Sequence, residues 1–462
     1  MRIITNQQHN VARMMEEIEY VLGLCFMSRR CLLTRIDFSD GDRKVENTTL
    51  NYWIEINEDN KYKQFFEKGL GALLSNPNFL LLYVPKNGAK MQVIRPARDS
   101  YHRNRMIRRI NEAEGIPSFY YALSHLWGIT ENDRYYWNDI SEYVNDEDGQ
   151  PAKPVSMRPE KRDTLLALLK DHPDSYWWID VLCARTDTPL DIMGDIYAYC
   201  LECIAMIDCV PGPISQLHLM ADLKVEDIQC SDDSSVVRQF YDQCFDLADS
   251  LDTLIQSRWW SRVWTWQEMT LPFGEVRLMA ETGTHRPLSN TITIDDLVRN
   301  YSVMWEVTVR IGNSLLYERE GIIGRDNDVE KMLRNFSKWR VTTRDWYQET
   351  YYARVYNKNR IQVEIKWLNL SSLLRTWGNS PRRCMDPVDY VYGVLGILQF
   401  EIPRMDDPDA VWKLFLSEMD KHLGSVHERF PLTRRISDRA YQVDLRKAQD
   451  MRDVYRDLEY IP

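Results

Sequence analysis

Phe119 to Ser124 reads FYYALS, and a turn-like Trp127-Gly128 pair follows it. This aromatic and aliphatic run suits a buried strand, and the chain after it repeats the theme. Arg162 to Leu169 has helical spacing, Tyr176 to Cys183 (YWWIDVLC) reads as a strand, and Leu190 to Leu201 reads as a helix. Cys203 to Val210 (CIAMIDCV) is a third strand, followed by helices over Val236 to Ile255 and Ser261 to Thr270. Glu275 to Ala280 (EVRLMA) closes the series as a strand. Strands separated by helices predict parallel pairing in an open α/β sheet. Ligands of such sheets collect at the carboxyl ends of the strands, where Ser124, Cys183 and Val210 fall. Glu131 to Pro159 is polar, with three prolines after Gln150, and is predicted to be a surface insertion.

Outward from this block the pattern changes. Residues 1–110 are mixed: Val11, Met14, Met15, Ile18 and Val21 predict a helix from Asn10 to Leu24, and Asn78 to Pro85 a strand. A basic stretch after Pro96 predicts a helix that ends near Gly115-Ile116-Pro117. Beyond residue 290 the spacing is mainly helical, over Thr293 to Val309, Asp328 to Trp339, Ile361 to Leu374, Tyr390 to Leu398 and Asp409 to Leu423. The last twenty residues alternate in charge sign and are predicted to form an exposed helix or tail. The division that follows is a mixed region 1–110, a central α/β domain 111–290 and a mainly helical region 291–462.

With 44% apolar residues, fifteen Trp and twenty-five Tyr, the 462-residue chain can bury several cores. Its net charge of −11 argues against a general polyanion binder. Arg95, Arg98, Arg103, Arg105, Arg108 and Arg109 form a local exception, read as a solvated helix face and not as a nucleic-acid surface. Nine scattered cysteines fit a reducing, cytoplasmic compartment, and Cys200 and Cys203 read as core residues because no second pair or spaced His accompanies them. No metal is expected. The longest apolar run, Phe79 to Val84, is too short for a membrane span, and no secretion signal is visible.

The candidate chemistry lies between Arg258 and Pro272, RWWSRVWTWQEMTLP. On a continuous helix Trp260, Trp264 and Glu268 share one stripe with Leu271, so a lone carboxylate faces an apolar wall. Such a group needs a partner, a raised pKa or a task, or else its head reaches water.

Three blocks resemble the fungal heterokaryon-incompatibility (HET) domain. Tyr120 to Gly128 (YYALSHLWG) is similar to its opening strand, Trp178 to Tyr197 to its Trp-Ile-Asp-x-x-Cys segment, and Arg258 to Glu268 to its Arg-x-Trp-x-x-Gln-Glu ending. Arg382 to Ile397 resembles a segment that often follows HET domains. The chain departs from the pattern at Ala184, Arg185 and Thr186, where Ile-Asn-Gln is usual, and at His125, where Tyr is usual. HET domains in turn resemble TIR domains, which implies a flavodoxin-like fold. Ser124 through Gly128 is similar to the turn after the first TIR strand, and Trp264 and Glu268 keep the spacing of the TIR Trp-Cys-x-x-Glu helix, with Thr265 in place of Cys.

The resemblance implies self/non-self recognition or defence-type cell death, with cleavage of NAD as substrate at its nicotinamide-ribose bond. Glu268 is then the catalytic residue that stabilises an oxocarbenium-like sugar. Trp127, Trp260 or Trp264 would stack on the base, Arg258 or Arg262 would pair with pyrophosphate, and Ser124 and the Gly128 backbone would line the crevice. Asp180 is grouped with these nucleotide-binding positions, and at the end of an aromatic strand it reads as a hydrogen-bond anchor for the neighbouring loop rather than as a catalytic acid. Cys183 as a thiol nucleophile has no partner His. The resemblance also implies a homo-oligomer and a protein partner that triggers or restrains it. The alternative is a non-enzymatic, self-associating signalling module in which Glu268 is structural.

Overall fold

The computed structural model describes residues 59–128, 134–219, 247–283, 291–302, 343–355, 366–427 and 436–458. The helices expected over Asn10 to Leu24 and Asp328 to Trp339 lie outside these. Asn60–Pro462 forms one compact unit. Its centre is an eight-stranded sheet whose strands lie in the order 291–293, 275–280, 202–207, 120–125, 175–179, 81–84, 91–94 and 144–145. The strands are β1 (Leu81–Val84), β2 (Met91–Ile94), β3 (Tyr120–His125), β5 (Val144–Asn145), β7 (Ser175–Ile179), β8 (Glu202–Ile207), β9 (Glu275–Ala280) and β10 (Thr291–Thr293). Two short strands, β4 (Tyr136–Trp137) and β6 (Val155–Ser156), pair separately.

The expected parallel block is present as β7, β3, β8 and β9. These strands read as nearly continuous apolar runs because both faces are covered: all five residues of β7 and five of six in β8 are buried. Both flanks run antiparallel, β1 against β7 and β2, and β10 against β9. A tight turn through Gly88 (φ 69°) joins β1 to β2, and so short a link permits only antiparallel pairing. Residues 81–94 thus belong to the same sheet as the central strands. The segment expected as a surface insertion supplies β5, whose Val144 pairs with Met91.

The helices are α1 (Asp59–Ser75), α2 (Ser100–Glu112), α3 (Pro159–Asp171), α4 (Asp180–Cys183), α5 (Ile192–Ala198), α6 (Pro211–Leu219), α7 (Thr265–Thr270), α8 (Lys366–Asn379), α9 (Asp389–Leu398), α10 (Pro408–His427) and α11 (Met451–Tyr455). Residues 247–255, 294–302 and 343–355 are also helical. Trp177, Trp178, Trp259, Trp266 and Trp377 are fully buried. Each removes roughly 150–250 Å² from water, worth about 4–6 kcal/mol before entropy is subtracted.

Three sequence expectations fail here for tertiary reasons. The strand expected to reach Cys183 stops at Ile179, and Asp180 opens a helical turn with its Oδ1 accepting from the Val181 N–H at 2.6 Å. In α2, Arg105 and Arg109 both pair with Asp174, the left-handed residue (φ 61°) before β7, so this part of the arginine face is used internally. The C-terminal tail is not an exposed helix: Met451, Val454 and Tyr455 are fully buried, and the Tyr455 hydroxyl donates to Tyr390 O at 2.6 Å.

Packing of α5 on α9 depends on two glycines in backbone contact. A Cβ on Gly194 would stand 2.7 Å from Gly396 Cα, so Gly194→Ala is expected to cost about 1–3 kcal/mol, read as a lower urea midpoint with an unchanged m-value. An unchanged midpoint would show that the helices can separate freely.

Candidate functional site at the strand carboxyl ends

β3 ends in Ser124 and His125, both 1% exposed. The Ser124 hydroxyl donates to Glu268 Oε2 and accepts from Trp259 Nε1 at 2.7 Å. Glu268 sits inside α7 and is 5% exposed. Burial raises its carboxyl pKa, while Arg262 and the Ser124 hydrogen bond oppose the rise and Asp180 adds to it. Among the described residues no cation stands within ion-pair distance of Glu268.

The route by which Glu268 gets there differs from the sequence expectation. Arg258–Ser261 is a 3-10 turn, Arg262 is extended (φ −94°, ψ 140°), and α7 begins only at Thr265. Trp260, Trp264 and Glu268 therefore do not share one helical stripe. The cause is a strand-like contact with a distant segment: Val263 N–H donates to Arg383 O at 3.0 Å and Arg383 N–H to Ser261 O at 2.7 Å, which withdraws these groups from a helix. Trp260 is buried against Trp259 and Trp346. Trp264 is half-buried beside Asp389, whose pKa burial pushes up to about 6 while the Trp264 indole opposes the rise.

Asp180 forms a second centre. Its Oδ1 lies 2.9 Å from His125 Nε2 and its Oδ2 accepts from Trp127 Nε1 at 2.6 Å. Burial alone would raise its pKa, but His125, Trp127 and Arg262 together outweigh it and hold the group below the usual range. Trp127 remains 46% exposed, so its polar edge is anchored and a ring face is open to solvent. Arg262 Nη1 donates to His125 O at 2.9 Å. Arg258 is exposed and pairs with Asp208 just beyond β8, at 3.0 Å. Gly128 is fixed by crowding, since a Cβ there would lie 2.6 Å from Tyr135 O and 2.7 Å from Met157 N.

Ser124, Glu268, Asp180, Trp127 and Arg262 are thus brought together, with Arg258 at the rim. Cys183 is separate: its thiol is buried, 3.8 Å from Trp177 O, and burial pushes its pKa up to about 12. A cavity of about 350 Å³ lies elsewhere, between β2, the start of α2 and Glu147-Asp148.

Lys161 escaped the sequence reading. It is fully buried, donates to Leu126 O and lies 3.2 Å from Glu281 Oε2, just past β9. The spacing held a clue, because Lys161, Thr164, Leu165 and Leu168 form the buried i, i+3, i+4, i+7 face of α3. Burial, then repulsion from Arg158 and Arg262, lowers its pKa to about 7. Glu281 favours the charged form, but its Oε2 accepts no aligned hydrogen bond, so the downward direction holds. Between about pH 7 and the unfolded value near 10.4 the unfolded chain binds the extra proton, and stability rises with pH. Lys161→Met is expected to lose this rise, at most about 1.4 kcal/mol per pH unit, in denaturant melts compared at pH 7 and 9. Parallel pH dependence in both proteins would show that Lys161 keeps its proton.

Residues 120–268 match the family model described as Heterokaryon incompatibility protein (HET). The match begins with β3 and ends on Glu268, so it spans both partners of the Ser124–Glu268 contact. No curated protein and no solved structure matches the chain. The departures at Ala184, Arg185 and Thr186 fall inside the matched residues, just after α4. Arg185 is bonded to Glu147, at 2.5 and 3.2 Å, and Thr186 O accepts from Arg404 at 2.8 Å. No described helix is long and apolar enough to cross a membrane.

Proposed function

We propose that the chain serves a heterokaryon-incompatibility response that arrests or kills the cell, and that its strand-end centre hydrolyses NAD at the nicotinamide-ribose bond. The observation that supports this reading is the Ser124–Glu268 hydrogen bond at the carboxyl end of β3, a buried carboxylate held by one hydroxyl with no cation within ion-pair distance among the described residues. The C1′–N bond breaks with its electron pair moving to the pyridinium nitrogen, so nicotinamide leaves neutral. Glu268 stabilises the positive sugar, water bonds to C1′, and its proton passes to solvent. Trp127 offers the open aromatic face, and Arg258 and Arg262 the cations for pyrophosphate. The test is free nicotinamide when purified chain meets NAD. None at any protein concentration or pH from 5 to 9 removes the enzyme reading.

One observation favours the second reading, a self-associating module without catalysis. Glu268 is 5% exposed and enclosed by Ser124 and α7, as a structural carboxyl would be. Here death signalling follows from assembly alone, with a protein partner as trigger. Light scattering combined with the nicotinamide assay separates the readings: assembly with toxicity and no turnover supports the module.

A further inference from the structure

The Glu268 centre is backed by residues well beyond the HET segment. Arg382, 1% exposed, pairs with the buried Glu349, donates to Thr265 Oγ1, reaches Arg262 O at 3.3 Å, and lies over the Trp266 ring, 4.9 Å from its centroid. Its neighbour Arg383 bonds through its backbone to Ser261 and Val263, and Gln267 Nε2 donates to Tyr392 O at 2.6 Å. Ser261, Arg262, Val263, Thr265 and Gln267 are therefore all tied to the segment from Arg382 to Tyr392. The helix they lead into or form, α7, has six residues. So short a helix does not hold itself in water, and its placement is set by what it packs against.

We propose that Arg382 is a positioning residue that aims Glu268 at Ser124, acting through Thr265 and the Arg262 carbonyl. In its catalytic meaning this rests on the reading of Glu268 as the working carboxylate. Arg382 touches Thr265, one turn before Glu268, and anchors it to Glu349 in the helical segment 343–355. The C-terminal region is then part of the centre and not an appendage to it. The groups that act on the Glu268 charge include Ser124 from β3, Asp180 from α4, Arg262 before α7, and Arg382 from the C-terminal segment. Tyr197 of α5 and Cys203 of β8 feel its charge in turn.

The experiment uses the full chain with 13C-labelled glutamate carboxyls, taking the Glu268 signal as the one lost in Glu268→Gln. Its titration is followed in the parent, in Arg382→Gln, and in Thr265→Val, which keeps size and every charge while removing the hydroxyl that accepts from Arg382 and donates to Trp259 O and Arg262 O. Both variants are expected to move the Glu268 midpoint upward, raising the protonated-to-ionised ratio at fixed pH by about tenfold. They should also shift any pH profile of nicotinamide release in the same direction. Should Arg382→Gln fail to fold, Thr265→Val carries the test alone. An unmoved midpoint in Thr265→Val, with only a lower melting temperature, overturns the proposal and leaves Arg382 as core packing. A moved midpoint in a chain that never releases nicotinamide upholds the positioning role and sinks the NAD reading separately.

Discussion

Glu268→Gln should abolish nicotinamide release, by about 100-fold to 1000-fold, together with toxicity to the expressing cell, while the chain still folds. The amide oxygen can accept from Ser124 as the carboxylate does, so the local hydrogen bond survives while the charge is lost. Stability should not fall at neutral pH. Burial raises the Glu268 pKa in the folded chain, so ionising it there costs stability as pH climbs from the unfolded value near 4.3 through the folded one. A neutral Gln escapes that cost. The measurements are nicotinamide production, cell survival and a urea melt at pH 7. Turnover at the parent rate in a normally folded Gln variant would remove Glu268 from the mechanism. A clear drop in stability would favour the structural role.

Glu349→Ala should destabilise the chain by about 3–5 kcal/mol, because it strands the Arg382 guanidinium in the interior. Arg382 would keep Thr265, the Arg262 carbonyl and the Trp266 ring, but no ion-paired carboxylate among the described residues. Burial raises the Glu349 pKa, and Arg382 together with the Ser380 hydroxyl opposes the rise. Denaturant melts of Glu349→Ala, Arg382→Met and the double variant measure the coupling. The double variant should recover much of the loss, since removing both charges leaves neither unpaired. Additive losses would mean that the pair is not a coupled unit.

The parallel strands were legible because their composition states their environment. FYYALS, YWWI and CIAMI bury nearly every residue, and runs this short, rich in aromatic and branched side chains, suit strands covered on both faces. β10 and β5 were missed because three and two residues carry no period to read. Glu268 and Ser124 were both legible as candidates, one for its apolar company and one for its place at a strand end. Their direct contact was not, since 144 residues separate them and no local pattern encodes a distance across the sheet. Lys161 shows the opposite failure: a lysine on an amphipathic helix reads as surface until the buried face of that helix is known.

By itself the sequence determined the α/β class, the central parallel block and a carboxylate set among tryptophans. Those follow from side-chain periodicity and hydrophobicity, which act locally. The tertiary structure decided how the Trp260-to-Glu268 stretch is shaped. A backbone contact with Arg383 breaks what helical spacing alone would make continuous, and the buried Arg382–Glu349 pair then seats the short helix that remains. Hydrogen bonds and charges that must be satisfied in the interior come from wherever the chain returns, and that choice cannot be read from neighbours in sequence.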